Sequence, residues 1–243
     1  MAEDIKKKFE GDQATQHMRQ RAEEIGVETI WDREAKQDPH CGFGTLGLCC
    51  KNCNLGPCRI DPFGEGATKG VCGADADTIA ARNLVRHIAA GSACHNDHGR
   101  EFVHTLELVG SGKNEFYSIK SPEKLKRLAQ EYKIKTEGRQ DKEIAMDLAH
   151  KMFEQYGQQY GELTLMQRAP EKTKKIWRKL DLMPRGIDRE TTEALSRTHV
   201  GVDNDYKNLM LHGMRTALSD GWGGSMIATE LTDVLLGDPS PLR

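Results

Sequence analysis

Through most of the chain, apolar residues return every three or four positions, the spacing that gathers them on one face of an α-helix. Ala14, Met18, Ala22 and Ile25 form the first such stripe, with Asp12 placed to cap the helix and Gly26 to stop it. From Asp75 to Ala90 an acidic start leads into apolar residues at helical spacing, which predicts a second helix. The same periodicity predicts further helices over about 94–109, 121–133, 140–155, 170–181, 188–199, 203–218 and 225–236. Ser121-Pro122-Glu123 is a start signal, because proline at the first helical position gives up an N–H that has no partner there. Ser219-Asp220-Gly221 is turn chemistry and predicts a helix end. The last helix carries Ile227, Leu231, Val234 and Leu235, and the Gly/Pro-containing residues after it predict a linker. Strand-like runs are nearly absent.

The periodicity fails between about Pro39 and Gly73, where cysteine and glycine replace the apolar stripe. Such a segment buries little and is expected to take its order from a bound metal. The organisation expected is therefore mainly α: a helical segment over 1–38, a Cys/Gly-rich loop over 39–73 and a helical domain over 74–243.

Charge adds little to this picture. With 35 basic and 37 acidic residues the formal net charge is −2, which suggests neither nucleic acid nor an anionic membrane as partner. The basic run around Lys172, Lys174 and Lys175 is expected to be a solvated helix face. No window approaches a membrane span and the first residues lack the apolar core of a secretory signal, so the expected setting is cytoplasmic. Trp31, Trp177 and Trp222 are expected to pack in a core or interface, and Met210, Met214 and Met226 to fill gaps.

The cysteines change the picture most. Of the seven, all but Cys94 fall in the run Cys41-x7-Cys49-Cys50-x2-Cys53-x4-Cys58-x13-Cys72. A spacing this dense, in a chain long enough to build its own core and without a secretory signal, points to metal ligation and away from disulfides. Cys50, Cys53, Cys58 and Cys72 make a complete set for a cubane iron–sulfur cluster, held by four thiolates, and Cys41 and Cys49 are left as half a set. Interleaved glycines let the backbone curl and bring amide N–H groups toward sulfur. A structural zinc site is the alternative, although zinc ribbons usually carry two Cys-x2-Cys pairs and this run has one. Cys94 is expected as a small buried hydrophobe.

A second constellation lies on the predicted helix over 94–109. His95, His98 and His104, with Glu101 at the missing step, form a slowly spiralling stripe that could pass protons, since imidazole titrates near neutral pH. The alternative is a polar helix face.

Trp31-Asp32-Arg33, the block from Cys41 to Gly64, Gly70-Val71-Cys72-Gly73, His87-Ile88-Ala89-Ala90-Gly91, the histidine helix and Gly186-Ile187-Asp188-Arg189-Glu190 resemble the N-terminal part of the anaerobic nickel–iron carbon monoxide dehydrogenases. The resemblance covers nearly the whole chain. It implies oxidation of carbon monoxide with water to carbon dioxide, two protons and two electrons, in a homodimer that passes electrons to a ferredoxin-like acceptor. It leaves open an acetyl-CoA synthase subunit as a further partner. Cys50, Cys53, Cys58 and Cys72 would hold the [4Fe–4S] cluster called B. Cys41 and Cys49 would share the intersubunit cluster D with the same pair of a second chain. His95, His98 and His104 would form a proton exit row, in which Glu101 replaces a histidine of some members. The ligands of the nickel-bearing catalytic cluster C lie in the family's later α/β domains, which are absent from this sequence, so the isolated chain is expected to be inactive. A stand-alone iron–sulfur electron carrier or regulator and a zinc-stabilised interaction module are the other readings.

Overall fold

A computed structural model describes residues 12–239. The charged first residues, and residues 240–243 of the expected linker, lie outside it. The protein is mainly helical and divides into two compact units, one ending at Gly47 and one beginning at Leu48. The 39–73 segment spans that division.

The first unit holds α1 (Gln13–Glu24), α2 (Ile30–Ala35) and α3 (Gly42–Thr45). Asp12 caps α1 by accepting the Thr15 N–H at 3.0 Å, and Gly26 ends it at φ +70°, a conformation glycine adopts without strain. Thr29 and Asp32 cap α2, with the Thr29 N–H 2.7 Å from the Asp32 carboxylate. The Arg19 guanidinium lies 4.7 Å from the centre of the half-buried Trp31 ring. None of the described residues of this unit is buried, and Met18 and Ile25 of the α1 stripe are exposed.

The second unit begins with a two-stranded ribbon, β1 (Cys49–Cys50) antiparallel to β2 (Cys58–Arg59), with Cys50 opposite Cys58. Its helices are α4 (Ala76–Gly110), α5 (Pro122–Glu131), α6 (Asp141–Gly157), α7 (Glu171–Lys179), α8 (Ile187–Arg197), α9 (Tyr206–Ser219) and α10 (Ser225–Leu236). A 3₁₀ turn over Thr164–Arg168 precedes α7. The 35-residue α4 is the hub, packed against α6, α8, α9 and α10. Val103, Leu106, Leu148, Met152, Ile187, Ile227 and Leu231 are all fully buried in the main core, where Trp177 and Trp222 pack edge to face with ring centres 6.2 Å apart. Met210 and Met226 pack half-buried against core clusters as expected, whereas Met214 is 50% exposed on the outer face of α9.

The helices depart from the sequence expectation in two places. The helices expected from Asp75 to Ala90 and over 94–109 are one continuous helix, α4. Gly91 costs about 1 kcal/mol in a helix interior, too little to break α4 when Ala89, Ser92, Asn96 and Gly99 on either side are buried against neighbours. Ser219-Asp220-Gly221 likewise does not end a helix: a π-helical turn over Asp220–Gly224 carries α9 directly into α10. Its place follows from glycine packing, because a Cβ at Gly224 would lie 2.5 Å from Asn96 Cα and one at Gly99 would lie 2.5 Å from the Gly224 carbonyl oxygen. Only bare backbone lets the turn approach α4 this closely.

Candidate metal centre

The ribbon sets the first two sulfurs. Successive strand residues face opposite ways, so Cys50 turns to one face of β1 and Cys49 to the other. Cys50 lines a cavity together with Cys53, Cys58 and Cys72, and Cys49 is not among its lining residues. Two glycines allow the curl: a Cβ at Gly56 would meet the Cys50 carbonyl oxygen at 2.8 Å, and one at Gly70 would meet Cys58 Cβ at 3.3 Å. The Val71 N–H donates to Cys58 Sγ at 3.4 Å, and Ile60, Ala74 and Ile79 pack with Cys50 as an apolar wall. Low polarity on that wall strengthens any charge interaction inside.

Cys72 receives a further donor. Arg82, on α4 and 1% exposed, donates from Nη1 to Cys72 Sγ at 3.5 Å and from Nη2 to the Asp203 carbonyl at 2.5 Å and Asn204 Oδ1 at 2.6 Å. Burial pushes the Cys72 thiol up, but the Ala74 amide and the Arg82 guanidinium outweigh it and leave the thiol below its ordinary range. Among the described residues no carboxylate pairs with Arg82, and its Nε has no hydrogen-bond partner. Sequence reading passed over Arg82, although an arginine three positions after Ile79 on a buried stripe is a visible signal.

Cys41 caps α3 in the first unit and is exposed, while Cys49 is half-buried and its carbonyl accepts from Asn83 Nδ2 at 3.1 Å. Among the described residues no three His, Cys, Asp or Glu side chains converge as they would on a single ion. Cys94 is exposed, not buried, because it sits between Ser92 and Asn96 on the solvent side of α4.

His95, His98 and His104 lie exposed along α4, and no hydrogen bond among the described residues joins one imidazole to the next. Each has a local partner. His95 Nδ1 lies 2.9 Å from Asp220 Oδ2, and Asp220 Oδ1 also accepts from the Ser225 hydroxyl at 2.6 Å. His98 packs on the edge of Phe102 at 5.1 Å, and His104 Nδ1 is 3.4 Å from Glu107, whose other oxygen is 3.4 Å from His150. Asp220 reaches His95 only because the π turn seats Gly224 on α4, a pairing across 125 positions that no local pattern announces.

The chain belongs to the Prismane/CO dehydrogenase family, whose model matches residues 48–243. Within it the similar proteins are carbon monoxide dehydrogenases. Carbon monoxide dehydrogenase 1 of Methanosarcina acetivorans is 55% identical over 232 residues, 96% of this chain and 37% of that protein. The carbon monoxide dehydrogenase/acetyl-CoA synthase subunit beta of Moorella thermoacetica is 36% identical over 95% of this chain and 35% of its own length. A nickel-free carbon monoxide dehydrogenase of Thermococcus sp. AM4 superposes with a TM-score of 0.87 at 52% identity, covering 92% of this chain and 35% of that one. The chain thus spans little more than a third of the proteins it matches. Among the described residues no helix is long and apolar enough to cross a membrane.

Proposed function

We propose that this chain is the electron-transfer and dimerisation portion of an anaerobic carbon monoxide dehydrogenase, acting in CO + H2O → CO2 + 2 H+ + 2 e−. In this reading Cys50, Cys53, Cys58 and Cys72 hold the [4Fe–4S] cluster B, and Cys41 and Cys49 hold half of cluster D, completed by the same pair of a second chain. No residue of this chain is assigned to the nickel cluster C, so the chain alone does not oxidise carbon monoxide. The acceptor is ferredoxin-like, the setting cytoplasmic, and the kinship with the Moorella subunit favours an acetyl-CoA synthase subunit as a further partner.

One observation carries the reading: four thiols and a buried guanidinium that no carboxylate pairs with among the described residues line the same cavity. The cation calls for an anionic occupant, which four ligating thiolates supply. Four thiols line one cavity, a full ligand set for a cubane cluster, and their run has a single Cys-x2-Cys pair where zinc ribbons usually carry two. An iron–sulfur cluster supplies one-electron storage. The chain's part is to hold it by thiolates, donate hydrogen bonds from Val71 N–H and Arg82, and exclude water with Ile60 and Ile79. Asp220, in the π turn, holds the ring of His95 on α4 through Nδ1 and leaves Nε2 as the atom that hands a proton on.

Anaerobic preparation with iron and acid-labile sulfide assay tests this. About six irons per chain are expected, falling by about four in Cys58→Ser and by about two in Cys41→Ser. Protein without iron or labile sulfide sinks the proposal.

A further inference from the structure

Among the described residues no carboxylate balances the charge of Arg82. Guanidinium stays protonated even when buried, and an unpaired buried cation costs several kcal/mol. Its oxygen acceptors are a backbone carbonyl and an amide oxygen, both uncharged. Nearby carboxylates are committed elsewhere: Asp203 Oδ2 lies 3.2 Å from Arg197, and Asp75 caps α4 by accepting the Thr78 N–H at 2.9 Å. What remains beside Arg82 is the sulfur of Cys72 and the cavity that both line.

The surroundings hold the guanidinium on that sulfur. Asn204 accepts from Arg82 at 2.6 Å, and its own Nδ2 donates to the Cys72 carbonyl at 3.4 Å, so one amide fixes cation and ligand together. Thr78, one turn earlier on α4, donates to the Asn204 carbonyl at 3.0 Å and pins the segment from the other side. This is a braced charge, unlike a surface arginine free to swing into water.

We infer that Arg82 is the fixed counter-charge of the thiolate-ligated group in this cavity and holds its reduction potential up. The inference rests on the cluster reading of the four cysteines. Adding an electron makes the ligated group one charge more negative, and a cation held at a ligand sulfur in an apolar cavity stabilises that state more than the oxidised one. Arg82 is thus a positioning and tuning residue, touching the ligand and not the reaction.

The test uses the full chain, reconstituted anaerobically, in wild-type, Arg82→Met and Arg82→Lys forms. Iron and labile sulfide are counted first, and the midpoint is then taken by redox titration followed by EPR. Arg82→Met is expected to load and to titrate lower, its reduced-to-oxidised ratio at a fixed potential down by about tenfold, or about 59 mV for one electron. Arg82→Lys, which keeps the charge, is expected to stay close to wild type. Loading in Arg82→Lys but not in Arg82→Met also supports the counter-charge. A loaded Arg82→Met with an unchanged or higher midpoint overturns the inference, as does equal loss of iron in both variants, which assigns Arg82 to packing alone. Absence of iron from the wild type overturns instead the reading beneath it.

Discussion

The cysteine segment from Leu48 to Ala74 and the helical bundle from Ala76 to Leu236 differ in how much they bury. The bundle has a continuous apolar core in which Val103, Leu106, Leu125, Ile144, Leu148 and Leu231 are fully buried. The cysteine segment buries Cys50, Ile60 and Ala74, and otherwise rests on a two-residue ribbon and hydrogen bonds to sulfur and backbone. Burial of that extent cannot offset the entropy of ordering so many residues, whereas thiolate–metal bonds can. If the cysteines hold the proposed cluster, this chain carries two separable sources of stability, one answering to metal and one to packing. Stripping iron anaerobically with a chelator should break the comparison open. Amide protection over 48–74 should fall by about 100-fold or more, while the α6 and α10 amides change little. Hydrogen exchange with mass spectrometry measures both at once, and equal loss in the two regions would show a single cooperative unit.

A pair of substitutions on α4 sharpens the packing side. Gly99→Ala places a Cβ 2.5 Å from the Gly224 carbonyl oxygen and 2.9 Å from Gly224 Cα, backbone that cannot step aside. It should destabilise the bundle by about 3 kcal/mol, seen as a lower thermal midpoint with iron content unaltered in the cold. Gly91→Ala, on the same helix with nothing within 4 Å of its Cβ, should stabilise by up to about 1 kcal/mol through helix propensity alone. Opposite signs from one chemical change separate close approach from propensity. Matching signs would count against the tight α4–π-turn contact.

The same division explains what the sequence disclosed. Caps and periodicity are local, so Asp12, Ser121-Pro122 and the stripes from 140 onward located helices to within a few residues. Cysteine spacing is local too, and the four thiols it groups are the four that line one cavity. Features made by tertiary approach stayed hidden. Gly91 has the composition of a break, but buried neighbours on both sides carry the helix through it. Asp220 has the composition of a turn, and only the Gly99–Gly224 contact turns it into the partner of His95. Arg82 was visible as a charge on an apolar stripe, yet its acceptors Asp203 and Asn204 lie more than 120 positions away.

Acid gives the smallest contrast, because the bundle contains a titrating network and the cysteine cavity is lined by no carboxylate. Glu193 on α8 takes Arg185 at 2.6 Å, Arg197 at 2.9 Å and Arg189 at 3.0 Å, beside the fully buried Glu190. Burial pushes the Glu193 carboxyl up, but Arg185 and Arg197 overcome it and hold it down at about 2. A carboxyl depressed in the folded state contributes stability that is complete above its unfolded value of 4.5 and is lost as pH falls from there toward about 2. The amount is on the order of 2 kcal/mol after discounting its partial exposure. In iron-free protein, where acid release of metal plays no part, the thermal midpoint of the bundle should drop across that window. Glu193→Gln should flatten the drop while lowering the midpoint at pH 7. An unchanged acid slope in Glu193→Gln would move the source of acid lability to Glu230 and Glu162, whose carboxyls are also held low by arginine partners.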